Sequence, residues 1–273
     1  MALRSDGMVR TAARASEKGG TPLTAAAAKK QMKKVTLKNE LRGWRGSRTL
    51  TRCKLALARF LGRTVQFDHL SAALEYSLEK HGERGRPLSY WEFGTGSGNT
   101  LQRALSVLEK FTDTNVVLFD SFEGLPEPTA LHDAHVTWKA GDFAFSIDYI
   151  RGVVAKTGYP EERVRFVRGF FEQSLTPALA DELRGRPPAF VTVDVDYYSS
   201  TKTVLAFLQP LLVSGCHVFF DDLWSFDGHP NFGQQKALNE FNVKNERGQL
   251  IPNPIFHNRI YSYFNWDYEF SQR

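Results

Sequence analysis

The chain is poor in cysteine: only Cys53 and Cys216 occur, and Cys216 lies in an apolar, strand-like run. Two cysteines make no disulfide framework, and their scarcity fits an intracellular, cytoplasmic protein. No apolar run reaches the roughly 18 residues that a membrane-spanning helix needs, so no span is expected. The first residues lack the apolar core of a secretory signal, although their low-acid, Arg-bearing character is similar to that of an organelle transit peptide. Met8 is a second candidate start. Acid is scarce in one place only. Residues 1–54 hold 14 Lys or Arg against 3 acids, a balance of +11, whereas residues 55–273 hold 21 against 27, a balance of −6. The basic character therefore belongs to an arm, expected over residues 1–54, and not to the body over 55–273. Such an arm is a solvated extension, with nucleic acid or an anionic surface as its candidate partner.

What is there is an alternation of short apolar runs with helical patterns. Ser89–Phe93, Val116–Phe119, Val164–Val167, Phe190–Val193 and His217–Phe220 read as strands. Phe67–His81, Asn99–Phe111, Ile147–Lys156, Leu175–Leu183, Thr201–Leu212 and Gln234–Phe241 read as helices, and Ile255–Phe264 reads as closing strands. Strands separated by helices predict βαβ units in a mostly parallel sheet. In such a sheet ligands bind beyond the carboxyl ends of the strands. Gly94–Gly98, Asp120, Gly169, Asp194 with Asp196, and Asp221 with Asp222 each follow a predicted strand, so five strand ends deliver glycines or carboxylates to one rim.

The run Glu92-Phe93-Gly94-Thr95-Gly96-Ser97-Gly98-Asn99-Thr100 joins a strand to a helix. Glycines permit a tight turn and close approach of a ligand to the backbone, and the helix start offers free N–H groups. The spacing is G-x-G-x-G, not the G-x-G-x-x-G of dinucleotide sites, and the lysine of a P-loop is missing. It resembles motif I of class I methyltransferases, whose loop wraps the amino-acid end of S-adenosylmethionine. Asp120, 26 residues past Gly94 and followed by Ser121, suits the two ribose hydroxyls; Gly169 with Phe170 or Phe171 suits the adenine. Asp194 precedes Asp221 and Asp222 by 27 and 28 residues, the length of one strand-helix-strand unit. Three carboxylates in one cleft repel unless a cation neutralises them, and hard oxygen ligands suit Mg²⁺. The bland alternative is a set of helix caps at Ser199, Ser200 and Asp222. An alcohol needs a base to become a methyl acceptor; Asp194 is the candidate, with His132, His135 and His229 as rivals.

As an ordered set, Glu92–Thr100, Phe119–Pro128 (FDSFEGLPEP), Gly169–Pro177 (GFFEQSLTP), Val193–Thr201 (VDVDYYSST), Phe219–Asp222 (FFDD) and Gly233–Ala237 (GQQKA) resemble the macrocin O-methyltransferase (TylF-like) family, which methylates sugar hydroxyls on natural products. The resemblance spans roughly residues 65–245. It implies a Rossmann-like class I fold with a seven-stranded, mostly parallel sheet. It also implies S-adenosylmethionine as cofactor, Mg²⁺ on Asp194, Asp221 and Asp222, and Asp194 as general base. The acceptor would be a small hydroxylated molecule such as a glycoside, and the sequence allows a homo-oligomer. Two details depart from related patterns. Tyr197 stands where catechol-type relatives carry a lysine base, and Val195 stands where the family commonly has glycine. Trp224, Phe226, Phe256, Tyr261, Tyr263 and Trp266 make the C-terminal segment aromatic, which suits either acceptor stacking or packing of closing strands. Metal-assisted O-methylation is the leading reading. Behind it stand metal-independent transfer to nitrogen or a carboxylate, and a non-catalytic binding protein with a nucleic-acid-binding arm.

Overall fold

A computed structural model gives the structure of the protein and describes residues 68–266, apart from positions 112, 130, 136, 257 and 258. The basic arm, Cys53, Met8 and the boundary expected at residue 55 lie outside the described residues. The compact unit that holds the described residues begins at Asp68.

Seven strands form one sheet: β1 (Ser89–Phe93), β2 (Asn115–Asp120), β3 (Val164–Arg168), β4 (Phe190–Val193), β5 (His217–Phe220), β6 (Gly248–Pro252) and β7 (Ile260–Asn265). Their order is β3-β2-β1-β4-β5-β7-β6. The first five run parallel, while β7 is antiparallel to both β5 and β6. Every residue of β1, β4 and β5 is buried, as expected where helices cover both faces of a parallel sheet. Alternate side chains feed two cores. On one face Tyr90, Leu118, Phe190 and Phe219 pack against α1 (His69–Glu83), α2 (Asn99–Leu108) and α3 (Ile147–Thr157) through Leu74, Leu101 and Ile150. On the other, Trp91, Phe93, Phe119, Val193 and Phe220 pack against α5 (Pro177–Leu183), α6 (Tyr198–Leu208) and α7 (Gly233–Lys244). Phe93 and Phe119 stack with centroids 4.2 Å apart.

Several expected boundaries move. The closing strands begin earlier than residue 255: β6 ends at Pro252, and Ile255 is an exposed connector. Only Gly248 and Leu250 of this edge strand are buried, so its apolar signal is weak. The expected Leu175–Leu183 helix starts two residues late, as α5, because Thr176 caps it and Pro177 starts it; a separate short helix, α4 (Phe171–Ser174), precedes it. Helix α6 starts at Tyr198 instead of Thr201. Its cap comes from afar: the Asp133 carboxylate, in the long loop after β2, accepts the Ser199 N–H at 2.8 Å. Ser199 and Ser200 therefore do not cap it.

Candidate active site

The ladder of the parallel sheet continues one residue past each strand. Gly94 N–H donates to Phe119 O (2.9 Å), Asp194 N–H to Phe93 O (2.9 Å), Asp221 N–H to Val193 O (3.1 Å) and Gly169 N–H to Asp120 O (3.0 Å). The residues that follow the strands are thus fixed in register along one rim. They line a cavity of about 420 Å³, together with the loop after β2, within the range typical of small-molecule sites. Gly94, Thr95, Gly96, Asn99, Thr100, Asp120, Ser121, Gly169, Phe170, Phe171, Asp194, Asp221 and Asp222 all reach it. Two nominated residues do not. Gly98 is the left-handed N-cap of α2, backed by Val153. Glu92 is fully buried beneath the turn, hydrogen-bonded by the Tyr90 hydroxyl, and burial pushes its carboxyl up to about 8.

The two leading glycines serve different ends. A Cβ at position 94 would lie 1.7 Å from the Asp194 carbonyl oxygen, so Gly94 is what lets β4 pass the turn. At position 96, where φ is +48°, nothing lies within 4 Å, and the backbone is open to the cavity. Asp120 is held rigidly: one carboxylate oxygen accepts the Thr95 N–H and the other the Phe122 N–H, each at 2.7 Å. Burial pushes this carboxyl up, while the Phe122, Thr95 and Gly96 N–H groups favour its charged form. Phe171 is partly absorbed by the core, lying edge-on to Phe93, which leaves Phe170 as the aromatic at the end of β3.

Asp194, Asp221 and Asp222 each offer a carboxylate oxygen, and these atoms lie within 4.8 Å of one another; no other such group occurs among the described residues. Burial, then the charges of Asp222 and Asp221, hold the Asp194 carboxyl well above the usual carboxylate range. Burial and Asp221 push Asp222 up to about 6, and burial and Asp222 push Asp196 up to about 8. Asp196 adopts a left-handed backbone (φ 60°), rare for a non-glycine residue, and so aims its N–H at the Asp222 carboxylate (3.1 Å). The Asp222 carboxylate also accepts from the Ser225 hydroxyl, and Arg259 pairs with Asp221 at 3.1 Å.

A macrocin-O-methyltransferase (TylF) family profile matches residues 67–255. The chain belongs to that family. A curated relative from Streptomyces olivaceus, named 8-demethyl-8-(2,3-dimethoxy-alpha-L-rhamnosyl)-tetracenomycin-C 4'-O-methyltransferase, is 31% identical over 158 residues, which cover 55% of this chain and 58% of that protein. The match thus spans less than two thirds of the relative's length. Two solved structures share this fold. The calicheamicin methyltransferase CalS11 has a TM-score of 0.56 at 21% identity, covering 91% of this chain and 98% of its own. The O-methyltransferase NovP has a TM-score of 0.53 at 22% identity, covering 72% and 79%. The fold is therefore the Rossmann-like arrangement of O-methyltransferases.

Against this background, the histidines and the C-terminal aromatics fall away from the cavity. None of His132, His135 and His229 lines it; the His135 ring nitrogens face Ser225 O and Thr137. Phe226 stacks on Phe232, and Tyr261 meets Phe220 edge-on, so these rings pack structure. The aromatic wall is instead Trp138, stacked on His135 at 3.9 Å and edge-on to Tyr197, with Phe143 beside it in the lining. Gln234 and Arg259 were also outside the expected site residues. Gln234 lies in the Gly233–Ala237 stretch but was given no role there, and Arg259 belongs to no stretch that the sequence singled out.

Proposed function

We propose that the protein transfers a methyl group from S-adenosylmethionine to a hydroxyl of a sugar-bearing small molecule, with a divalent cation such as Mg²⁺ held by Asp194, Asp221 and Asp222. One observation carries the reading: the glycine turn and the three carboxylates open into the same cavity. Membership of the TylF family supports the reaction class, and the rhamnosyl tetracenomycin in the relative's name supports a glycoside acceptor. Such a protein works in solution, and no described helix is long and apolar enough to cross a membrane.

S-adenosylmethionine would supply a methyl activated on a sulfonium: the acceptor oxygen would bond to that carbon as the carbon–sulfur bond breaks, sulfur leaving with the electron pair as a neutral thioether. This chain's part is alignment and proton handling. The open backbone at Gly96 and the start of α2 receive the amino-acid end of the cofactor, Asp120 the ribose hydroxyls, and Phe170 the adenine. Asp194 takes the proton from the acceptor hydroxyl, which requires its carboxyl to be ionised. Without compensation, burial and then the charges of Asp222 and Asp221 oppose that ionisation. A cation on the three aspartates would reverse this and would stabilise charge developing on the acceptor oxygen. Trp138 walls the acceptor side.

A methyl-transfer screen over rhamnoside and other glycoside acceptors, with phenols as controls, tests the proposal in the presence of Mg²⁺ or of EDTA. Glycoside methylation lost in EDTA is expected. Turnover unaffected by EDTA would remove the metal, and it would favour a second reading in which the Arg259 guanidinium, paired with Asp221, supplies the only fixed positive charge needed. Absence of S-adenosylmethionine binding would end both.

A further inference from the structure

The carboxylates assigned to the cation stand on two neighbouring strand ends, Asp194 after β4 and Asp221 with Asp222 after β5. The β4–β5 ladder finishes with the Asp221 N–H on Val193 O. Beyond that bond nothing in strand pairing sets how far the two ends splay, yet a cation site needs its ligands within a few tenths of an ångström. A side chain from α7 spans the gap. The Gln234 carbonyl oxygen accepts the Asp222 N–H at 2.9 Å, and its amide nitrogen donates to Val193 O at 3.1 Å. Gln234 is fully buried, and both ends of its amide are used. Turning the amide over would set N–H against N–H and oxygen against oxygen, so only one seating satisfies it.

We infer that Gln234 is a positioning residue, a brace between the β4 and β5 ends that holds the Asp222 backbone where its carboxylate meets that of Asp194. This rests on the metal reading above. The side chain bonds the Asp222 backbone and not its carboxylate. It completes a set of holds on Asp222: the Asp196 N–H and the Ser225 hydroxyl orient the carboxylate, and Gln234 fixes the backbone beneath. Its place is set in turn by the start of α7. Gly233 there has φ +50°, and any Cβ would meet the Phe226 ring at 2.4 Å. A core position with no such task would be filled more stably by an apolar side chain, since a buried amide is costly unless both ends are paired.

Gln234→Met keeps the volume and removes both hydrogen bonds; Gln234→Asn keeps the amide but is too short to span both groups. In the full-length protein, titration calorimetry with Mg²⁺ should show affinity weakened by about tenfold or more in both variants, the range seen for groups that orient metal ligands. S-adenosylmethionine affinity should stay within about twofold, because the glycine turn, Asp120 and Phe170 lie on β1 to β3. Wild-type Mg²⁺ affinity in either variant overturns the inference while leaving the metal reading intact. So does a parallel loss of both affinities, which would make Gln234 a general structural residue. A wild-type protein that binds S-adenosylmethionine but no Mg²⁺ takes the metal reading and this inference down together. Should Gln234→Met fail to fold, Gln234→Asn decides by the same comparison.

Discussion

Gly94 and Gly96 separate two roles that one motif conceals. Gly94→Ala would force the added carbon into the Asp194 carbonyl, so it should lower thermal stability and cofactor affinity together. Gly96→Val places a β-branched residue at positive φ with its side chain in the cavity. It should abolish S-adenosylmethionine binding in calorimetry, with the backbone itself contributing only about 1–2 kcal/mol of strain. Equal effects from both substitutions would refute the distinction. At the chemical centre, Asp194→Asn should reduce turnover by about 10²–10⁴-fold, the usual worth of a positioned base, with cofactor affinity nearly unchanged. Retained turnover would exclude Asp194 as the base. These residues could be read from the sequence because glycines and acids after predicted strands carry their meaning in their spacing. The sequence singled out the stretch holding Gln234 without giving that residue a role, and it gave no sign of Trp138 or Arg259, which act through contacts made by chain folding from elsewhere: Trp138 from an irregular loop and Arg259 from the residue before β7.

The strands buried on both faces, β1, β4 and β5, begin and end where their apolar runs do. Elements that depend on distant partners do not: α6 takes its cap from Asp133, and the edge strand β6 buries little. Helix α1 also has a partner that sequence could not supply. The Ser77 hydroxyl on α1 donates to Ala189 O and accepts from His217 Nδ1 on β5, while His81 is buried one turn further on. Burial holds both histidines down from 6.5 to about 4, with Arg86 and Arg84 adding to the effect at His81 and His81 itself at His217. Both are therefore neutral in the folded state and readily protonated when unfolded. Their contribution is complete above the unfolded value and is lost as pH falls through 6.5 towards about 4. It amounts to at most about 3 kcal/mol for each histidine. Urea unfolding across that range should show the acid loss, and His217→Gln should flatten it. An unchanged slope in the variant would mean that acid acts elsewhere.

At the scale of the whole molecule, the acid surplus of residues 55–273 is partly concentrated in one cleft. The cleft should make stability depend on pH in the sense opposite to the histidines. Asp222 at about 6, Asp196 at about 8 and Asp194 well above the usual range all hold protons more tightly folded than unfolded. Their contribution is present at low pH and is lost as pH rises through those values. Metal-free protein should therefore lose melting temperature between about pH 6 and about pH 8.5, whereas a cation that replaces the protons should restore it. Mg²⁺ should accordingly raise Tm more at the higher pH. S-adenosylmethionine at about 100 times its Kd should add about 2.7 kcal/mol at either pH, a rise of roughly 5–10 °C for a domain of this size. Thermal melts with neither ligand, each alone and both together give the four values needed at each pH. A Mg²⁺ effect of the same size at both values would show that the cation does not bind where these carboxylates hold their protons. A rise with S-adenosylmethionine but none with Mg²⁺ would leave a methyltransferase whose acids are neutralised by protons and Arg259 alone.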